Sequence, residues 1–108
     1  MPKSITASDL ERQRNGDAPP FMLDVREVEE LEDGAIAGSV NIPMGEVEQR
    51  LAELPKDRDI VVICHLGIRS IHVAKRLNAL GYARAVSLSG GMEAWLQEPA
   101  RGARRRLP

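Results

Sequence analysis

The pattern of hydrophobic and polar positions defines one buried strand that runs into the single cysteine. Four β-branched residues, Ile60–Ile63, precede Cys64 with no polar position between them. Such an unbroken apolar run predicts a strand buried on both faces, as in parallel sheets. After Ser70, apolar residues recur at helical spacing, and Ser70 is itself a typical N-cap residue. Cys64 is therefore predicted to lie at the carboxyl end of a strand, just before a helix.

The remaining pattern alternates strands with helices. Predicted strands cover residues 4–6, 21–25, 39–41, 60–63 and 83–88, and predicted helices end near residues 14, 54, 80 and 97. This alternation is typical of βα units, in which right-handed crossovers place the strands side by side in a parallel sheet. The chain is long enough to bury a single core, so we expect one α/β domain.

The loop that follows the central strand carries the candidate chemistry. A tight strand-to-helix turn can point several backbone N–H groups at one atom, and the first turn of a helix adds its own unpaired N–H groups. Both features favour thiolate over thiol, so we expect a lowered pKa for Cys64. Gly67 permits close backbone approach or a positive φ, and Arg69 adds a permanent positive charge. The alternative is that Cys64 is only a small buried hydrophobic residue, the usual role of a lone cysteine.

Four motifs, in family order, resemble those of rhodanese-like (sulfurtransferase) domains. The cysteine loop, Cys64 to Ser70, resembles the Cys-x-x-Gly-x-Arg-Ser loop of that family. Residues 23–27 resemble its Leu-Asp-Val-Arg motif, residues 34–43 its Gly-rich Asn-Ile-Pro motif, and residues 88–95 its closing Gly-Gly-x-x-x-Trp motif. One departure is Ala35, where many members have histidine. The resemblance implies a three-layer α/β domain over residues 1–100, with a central, mainly parallel sheet of about five strands flanked by helices.

The resemblance also assigns roles to individual residues. It implies that Cys64 is the catalytic nucleophile and that the rest of its loop binds the substrate: His65, Leu66, Gly67, Ile68, Arg69 and Ser70. It places Asp24 and Arg26 near the same edge of the sheet, as supporting residues. From the residues alone, this pair is better explained as a structural ion pair at the end of a strand. The resemblance implies no cofactor. The two histidines and Cys64 lack the spacing of zinc ligands, so no metal site is expected.

The function implied is sulfur transfer in two steps. Cys64 takes the outer sulfur of an anionic donor such as thiosulfate, releases sulfite, and holds a persulfide that the loop N–H groups stabilise. Arg69 attracts the donor, and an acceptor thiol, or cyanide in vitro, then removes the sulfur.

Two alternatives remain open from the sequence. In the first, the domain is a persulfide carrier that delivers sulfur to a partner protein. The second is a cysteine-dependent phosphatase or arsenate-type enzyme, which would also use a thiolate, an N–H nest and an arginine. The spacing disfavours the second, because Arg69 makes a Cys-x4-Arg loop, one residue shorter than the phosphatase signature.

Charge and composition narrow the classes of partner. The formal net charge is −1, and four of the 15 basic residues lie within residues 101–108, so residues 1–100 carry a formal charge of −5. This balance argues against a nucleic-acid or membrane-surface role for the domain.

A single cysteine excludes an internal disulfide and fits a reducing compartment. No signal sequence or membrane-span pattern is visible, so we expect a cytoplasmic protein. We expect residues 101–108 to form a disordered Arg-rich tail.

Overall fold

A five-stranded, fully parallel sheet forms the centre of the molecule. The structure is a computed structural model that describes residues 3–97. The strands are β1 (Ser4–Ile5), β2 (Phe21–Asp24), β3 (Val40–Asn41), β4 (Ile60–Ile63) and β5 (Ala85–Leu88). Their order across the sheet is β1-β5-β4-β2-β3. The central position of β4 explains its uninterrupted apolar sequence, because neighbours cover it on both edges and helices cover both faces.

Within residues 3–97, three α-helices and two 3-10 segments cover the sheet. The helices are α1 (Ala7–Arg14), α2 (Ile68–Ala79) and α3 (Gly91–Leu96), and the 3-10 segments are Val28–Asp33 and Met44–Glu53. Ile60 and Val62 belong to one hydrophobic core with residues of α2, whereas Val61 and Ile63 belong to a second core with residues of α1 and α3. The side chains of β4 therefore alternate between two helical layers. The predicted three-layer α/β fold with about five parallel strands is confirmed.

The start of α2 differs from the prediction. The helix begins at Ile68, and its N-cap is Gly67 in the left-handed region at φ +97°, not Ser70. A left-handed residue turns the chain more sharply than a serine cap does, so helical geometry starts earlier. Ser70 consequently lies inside the first turn, where it is buried.

The predicted helix ending near residue 54 is a 3-10 segment with a kink at Arg50. Met44 and Val47 are three residues apart, as are Leu51 and Leu54, and a 3-10 helix has three residues per turn. Val47 and Leu51 are four residues apart, and the kink at Arg50 lies between them. A mixture of spacings of three and four residues is compatible with either an α-helix or a 3-10 helix.

Other expectations concern the ends of the chain and the membrane. No helix within residues 3–97 is long and apolar enough to cross a bilayer. The predicted domain boundary at residue 100 and the Arg-rich segment 101–108 lie outside the described residues.

Candidate active site

The end of β4 places Cys64 among backbone groups from both neighbouring strand ends. The Val25 N–H, just after β2, donates to the Ile63 carbonyl over 2.9 Å. On the other side, the Met92 N–H of α3 donates to the Cys64 carbonyl over 2.8 Å, and the Glu93 N–H donates to the His65 carbonyl over 3.1 Å. These bonds fix the backbone on both sides of the cysteine. Cys64 itself is almost completely buried, at the carboxyl edge of the sheet.

The close approach of α3 to the cysteine loop depends on Gly91. Gly91 has φ +60°, and a Cβ atom there would lie 2.4 Å from the Cys64 carbonyl oxygen and 2.5 Å from the His65 carbonyl oxygen. A side chain would therefore collide with the backbone of the loop. In the sequence this glycine is visible only as part of the Gly-Gly-x-x-x-Trp motif, because the pattern gives no sign of what it approaches.

Backbone N–H groups of the loop converge on the Cys64 sulfur. The Gly67 N–H donates to Cys64 Sγ over 3.1 Å, and the Ser70 N–H donates over 3.3 Å. Both distances are short for a bond to sulfur, and the positive φ of Gly67 aims this turn at the sulfur. The Ser70 N–H belongs to the first turn of α2, where N–H groups have no partner within the helix and carry its positive dipole end. The loop therefore forms a small nest around one sulfur atom.

These bonds set the ionisation of the thiol. Burial raises the pKa of Cys64, but hydrogen bonds from the Ser70 hydroxyl and from the N–H groups of Ser70, Gly67 and Leu66 lower it by more. The resulting pKa lies below its ordinary value. A lower pKa gives more thiolate at neutral pH, and thiolate is the nucleophilic form.

Ser70 links the sulfur to a second buried serine. Its Oγ lies 3.4 Å from Cys64 Sγ and 2.7 Å from Ser87 Oγ, and both serines are almost fully buried. Ser87 lies in β5, beside Val62 of β4. Ser87 is not among the site residues predicted from the sequence. The available signal was a serine inside the predicted strand 83–88, whose position beside β4 the sequence does not give.

The Arg69 guanidinium is held by a carboxylate. Its two terminal nitrogens donate to the two carboxylate oxygens of Glu30, each over 2.7 Å. The Arg69 hydrogen bonds hold the pKa of Glu30 at about 2, so Glu30 is charged at neutral pH. The Glu30 contact raises the pKa of Arg69, with a smaller contribution from the charge of Cys64. Arg69 therefore interacts electrostatically with the sulfur, but both terminal nitrogens of its guanidinium are already hydrogen-bonded to Glu30.

Asp24 and Arg26 form a buried ion pair that supports Glu30. Arg26 Nη2 donates to Asp24 Oδ2 over 2.7 Å, and Arg26 Nε contacts both carboxylate oxygens. The same guanidinium donates to the carbonyls of Glu30, over 3.0 Å, and Gly34, over 2.8 Å. The pair therefore anchors the 3-10 segment that carries Glu30, and it reaches Arg69 only through that segment.

The remaining residues of the predicted loop face outward. The side chains of Leu66 and Ile68 are largely exposed, at 53% and 65% of the residue surface. His65 is exposed as well and lies 3.6 Å from the Glu93 carboxylate. A small cavity next to His65 is also lined by the carboxylates of Glu30, Asp33 and Glu93. The structure thus gathers Cys64, Gly67 and Ser70 around the sulfur and leaves an apolar and acidic rim outside.

Comparison with known proteins shows which family the chain belongs to. Residues 6–98 match the rhodanese-like domain family. The chain is 33% identical over 95 residues to a sulfurtransferase of Allochromatium vinosum, covering 88% of this chain and 89% of that protein. It is 37% identical over 91 residues to YrkF of Bacillus subtilis, named as a candidate sulfur carrier protein, covering 84% of this chain and 49% of YrkF.

A solved structure shows the same fold. The crystal structure of a rhodanese-related protein from Thermoplasma volcanium superimposes with a TM-score of 0.81 at 38% sequence identity, covering 89% of this chain and 92% of that one. The likeness covers the whole parallel sheet that carries the cysteine loop at its carboxyl edge. The chain belongs to the rhodanese-like domain family of sulfurtransferases and sulfur carriers.

Proposed function

We propose that this protein transfers sulfane sulfur through a persulfide on Cys64. The observation that carries the proposal is the convergence of the Gly67 and Ser70 N–H groups on the Cys64 sulfur. A nest of fixed donors stabilises a negatively charged sulfur without reorganising during the reaction. The single free cysteine suits a reducing compartment, and we place the reaction in the cytoplasm.

The reaction has two balanced steps with thiosulfate as the donor. The Cys64 thiolate attacks the outer sulfur, a new S–S bond forms, and the bond between the two donor sulfurs breaks with its electron pair leaving on sulfite. An acceptor thiolate then attacks the outer sulfur of the persulfide and expels the Cys64 thiolate. Neither step requires a general acid, because both leaving groups depart as stable anions. The loop N–H groups hold the charge on sulfur in each resting state.

We rank phosphatase chemistry below sulfur transfer. A phosphatase loop must surround a tetrahedral oxyanion and offer it a free guanidinium, whereas this loop has only four residues between Cys64 and Arg69. Here Glu30 occupies both terminal nitrogens of Arg69. The same occupation would oppose arsenate binding.

A second candidate, a sulfur carrier that works with partner proteins, is favoured by the surface around the loop. Glu30, Asp33 and Glu93 line the cavity beside it against a single cationic side chain, Arg26, and this excess of negative charge opposes a small dianionic donor. Leu66 and Ile68 offer an apolar contact that a small anion does not need. We therefore propose that a protein persulfide is the physiological donor or a protein thiol the physiological acceptor, with thiosulfate serving as a test-tube donor.

Mass spectrometry of the intact protein tests the persulfide. After incubation with thiosulfate, the wild-type protein should gain the mass of one sulfur atom and lose it on treatment with cyanide. Rapid steady-state turnover with cyanide would favour an autonomous enzyme, and efficient loading with slow turnover would favour a carrier. A protein that gains no sulfur from thiosulfate or from a small persulfide contradicts the proposed function.

Glu30→Gln should increase the rate of loading by thiosulfate. The substitution removes one negative charge from the mouth of the site and frees the Arg69 guanidinium. We expect the second-order rate constant for persulfide formation to rise roughly 3- to 10-fold, the size of a partly screened charge interaction. Glu29→Gln is the matched control, because Glu29 is exposed in the same segment and the change in net charge is identical. Equal acceleration by both variants would contradict a specific effect of the ion pair.

Arg69→Ala should have the opposite effect on anionic donors. Without its guanidinium, the Glu30 carboxylate faces the site with no counter-charge. We expect the rate constant for loading by thiosulfate to fall roughly 10-fold, with a smaller change for reaction with a small uncharged disulfide, which leaves a mixed disulfide on Cys64 and releases a thiolate. Rapid-quench mass measurements with both reagents check this difference. An unchanged rate with thiosulfate would remove Arg69 from the donor site.

A further inference from the structure

Ser87 forms the far end of a buried chain of hydroxyl groups that starts at the reactive sulfur. Its Oγ lies 2.7 Å from Ser70 Oγ, which in turn lies 3.4 Å from Cys64 Sγ. Ser87 is about 1% exposed, and Ser70 is fully buried. Among residues 3–97, the structure gives the Ser87 hydroxyl no partner other than Ser70.

The number of protons in the hydrogen-bonded series Cys64–Ser70–Ser87 indicates which ionisation state of Cys64 this arrangement favours. If Cys64 is a thiol, the chain holds three protons, one on each of Cys64, Ser70 and Ser87, but only two gaps to place them in. One buried S–H or O–H group is then left without an acceptor, which costs free energy. If Cys64 is a thiolate, two protons fill the two gaps. The Ser87 hydroxyl donates to Ser70 Oγ, and the Ser70 hydroxyl donates to the sulfur.

We propose that Ser87 is a positioning residue that turns the Ser70 hydroxyl toward the Cys64 sulfur and so favours the thiolate. With Ser87 donating to its oxygen, Ser70 has its own proton free to point at the sulfur. Without the Ser87 hydroxyl, Ser70 keeps its proton but loses the partner that fixes its direction. The strand β5 thereby takes part in activating a cysteine that β4 and α2 position.

This proposal deepens the proposed function, since both concern the same sulfur, but its test requires no sulfur donor. The protein contains one cysteine, so the pH dependence of the thiolate ultraviolet absorbance reports Cys64 directly once a Cys64→Ser blank is subtracted. Ser87→Ala should raise the pKa of Cys64 by roughly 0.5–1 unit, the effect of one weakened hydrogen bond. Ser89→Ala is the matched control, because Ser89 is exposed at the end of the same strand, and it should cause no change.

A pair of isosteric variants distinguishes the effect of the Ser87 hydroxyl on the Cys64 pKa from the effect of side-chain packing. Ser87→Thr and Ser87→Val add the same volume, but only threonine keeps the hydroxyl, so the valine variant should have the higher Cys64 pKa. In a Ser70→Ala background, the difference between Thr and Val at position 87 should disappear. Equal Cys64 pKa values for the two variants, or a difference that persists without the Ser70 hydroxyl, would overturn the proposal. A pKa that responds as expected in a protein that never forms a persulfide would refute the proposed function and leave the role of Ser87 intact.

Discussion

Replacing Cys64 by serine should leave the protein folded and unable to accept sulfur. The side chain is buried but small, and serine has nearly the same shape, so the fold should tolerate the change. A serine hydroxyl stays protonated at neutral pH and is a poor nucleophile, and the hydrogen-bond partners of Cys64 Sγ among residues 3–97 include no general base that could activate it. The chain has no other cysteine to take the sulfur. We expect the rate of sulfur loading to fall by at least about a thousandfold.

Intact-mass measurements after incubation with thiosulfate check this result. The wild-type protein alkylated at Cys64 before incubation is the matched control, because it has an identical chain and a blocked thiol. Both samples should keep their starting mass, while the untreated wild type gains one sulfur atom. Sulfur retained by the Cys64→Ser variant would contradict the assignment of Cys64 as the acceptor, and cyanide treatment would show whether that sulfur is a sulfane.

The fold and the position of the cysteine follow from local sequence signals. The run Ile60–Ile63 has no polar residue, and only the centre of a covered parallel sheet buries both sides of a strand. A reactive group just after such a strand must lie at the carboxyl edge, where ligands bind in open α/β sheets. The motif order then identifies the family. These predictions depend on residues that are neighbours in the sequence, and for that reason they succeed.

The parts of the site that the sequence did not reveal depend on long-range contacts. Glu30 and Arg69 are 39 positions apart, and an acidic run such as residues 27–33 is indistinguishable from a solvated face until its partner is known. Ser70 was expected to cap α2, but the left-handed Gly67 takes that position and releases the Ser70 hydroxyl toward Cys64 and Ser87. The first contact depends on residues far apart in the sequence, and the second on the backbone conformation of a single residue, Gly67.

Arg26→Ala should destabilise the protein severely. Arg26 is buried and binds the equally buried Asp24, and it also donates to the carbonyls of Glu30 and Gly34. Removing it leaves the Asp24 carboxylate without its counter-charge and takes a side-chain donor away from two carbonyls. Breaking a buried pair from one side costs about 3–5 kcal/mol of the free energy of unfolding. Because a domain of this size is stabilised by only about 5–15 kcal/mol, much of its stability should be lost.

Urea denaturation followed by Trp95 fluorescence measures this loss, since Trp95 is the only tryptophan and is buried in the core beneath α3. Arg50→Ala is the matched control. Arg50 makes comparable hydrogen bonds to two carboxylates, but at the surface, where ion pairs contribute little, so its loss should barely change the denaturation midpoint.

The double variant Asp24→Ala/Arg26→Ala should lose less stability than the sum of the single variants, because neither charge is then left alone in the interior. If Arg26→Ala and Arg50→Ala proved equally mild, the buried pair would not be what holds the Glu30 segment against the sheet, and the link from Arg26 through Glu30 to Arg69 would have to be abandoned.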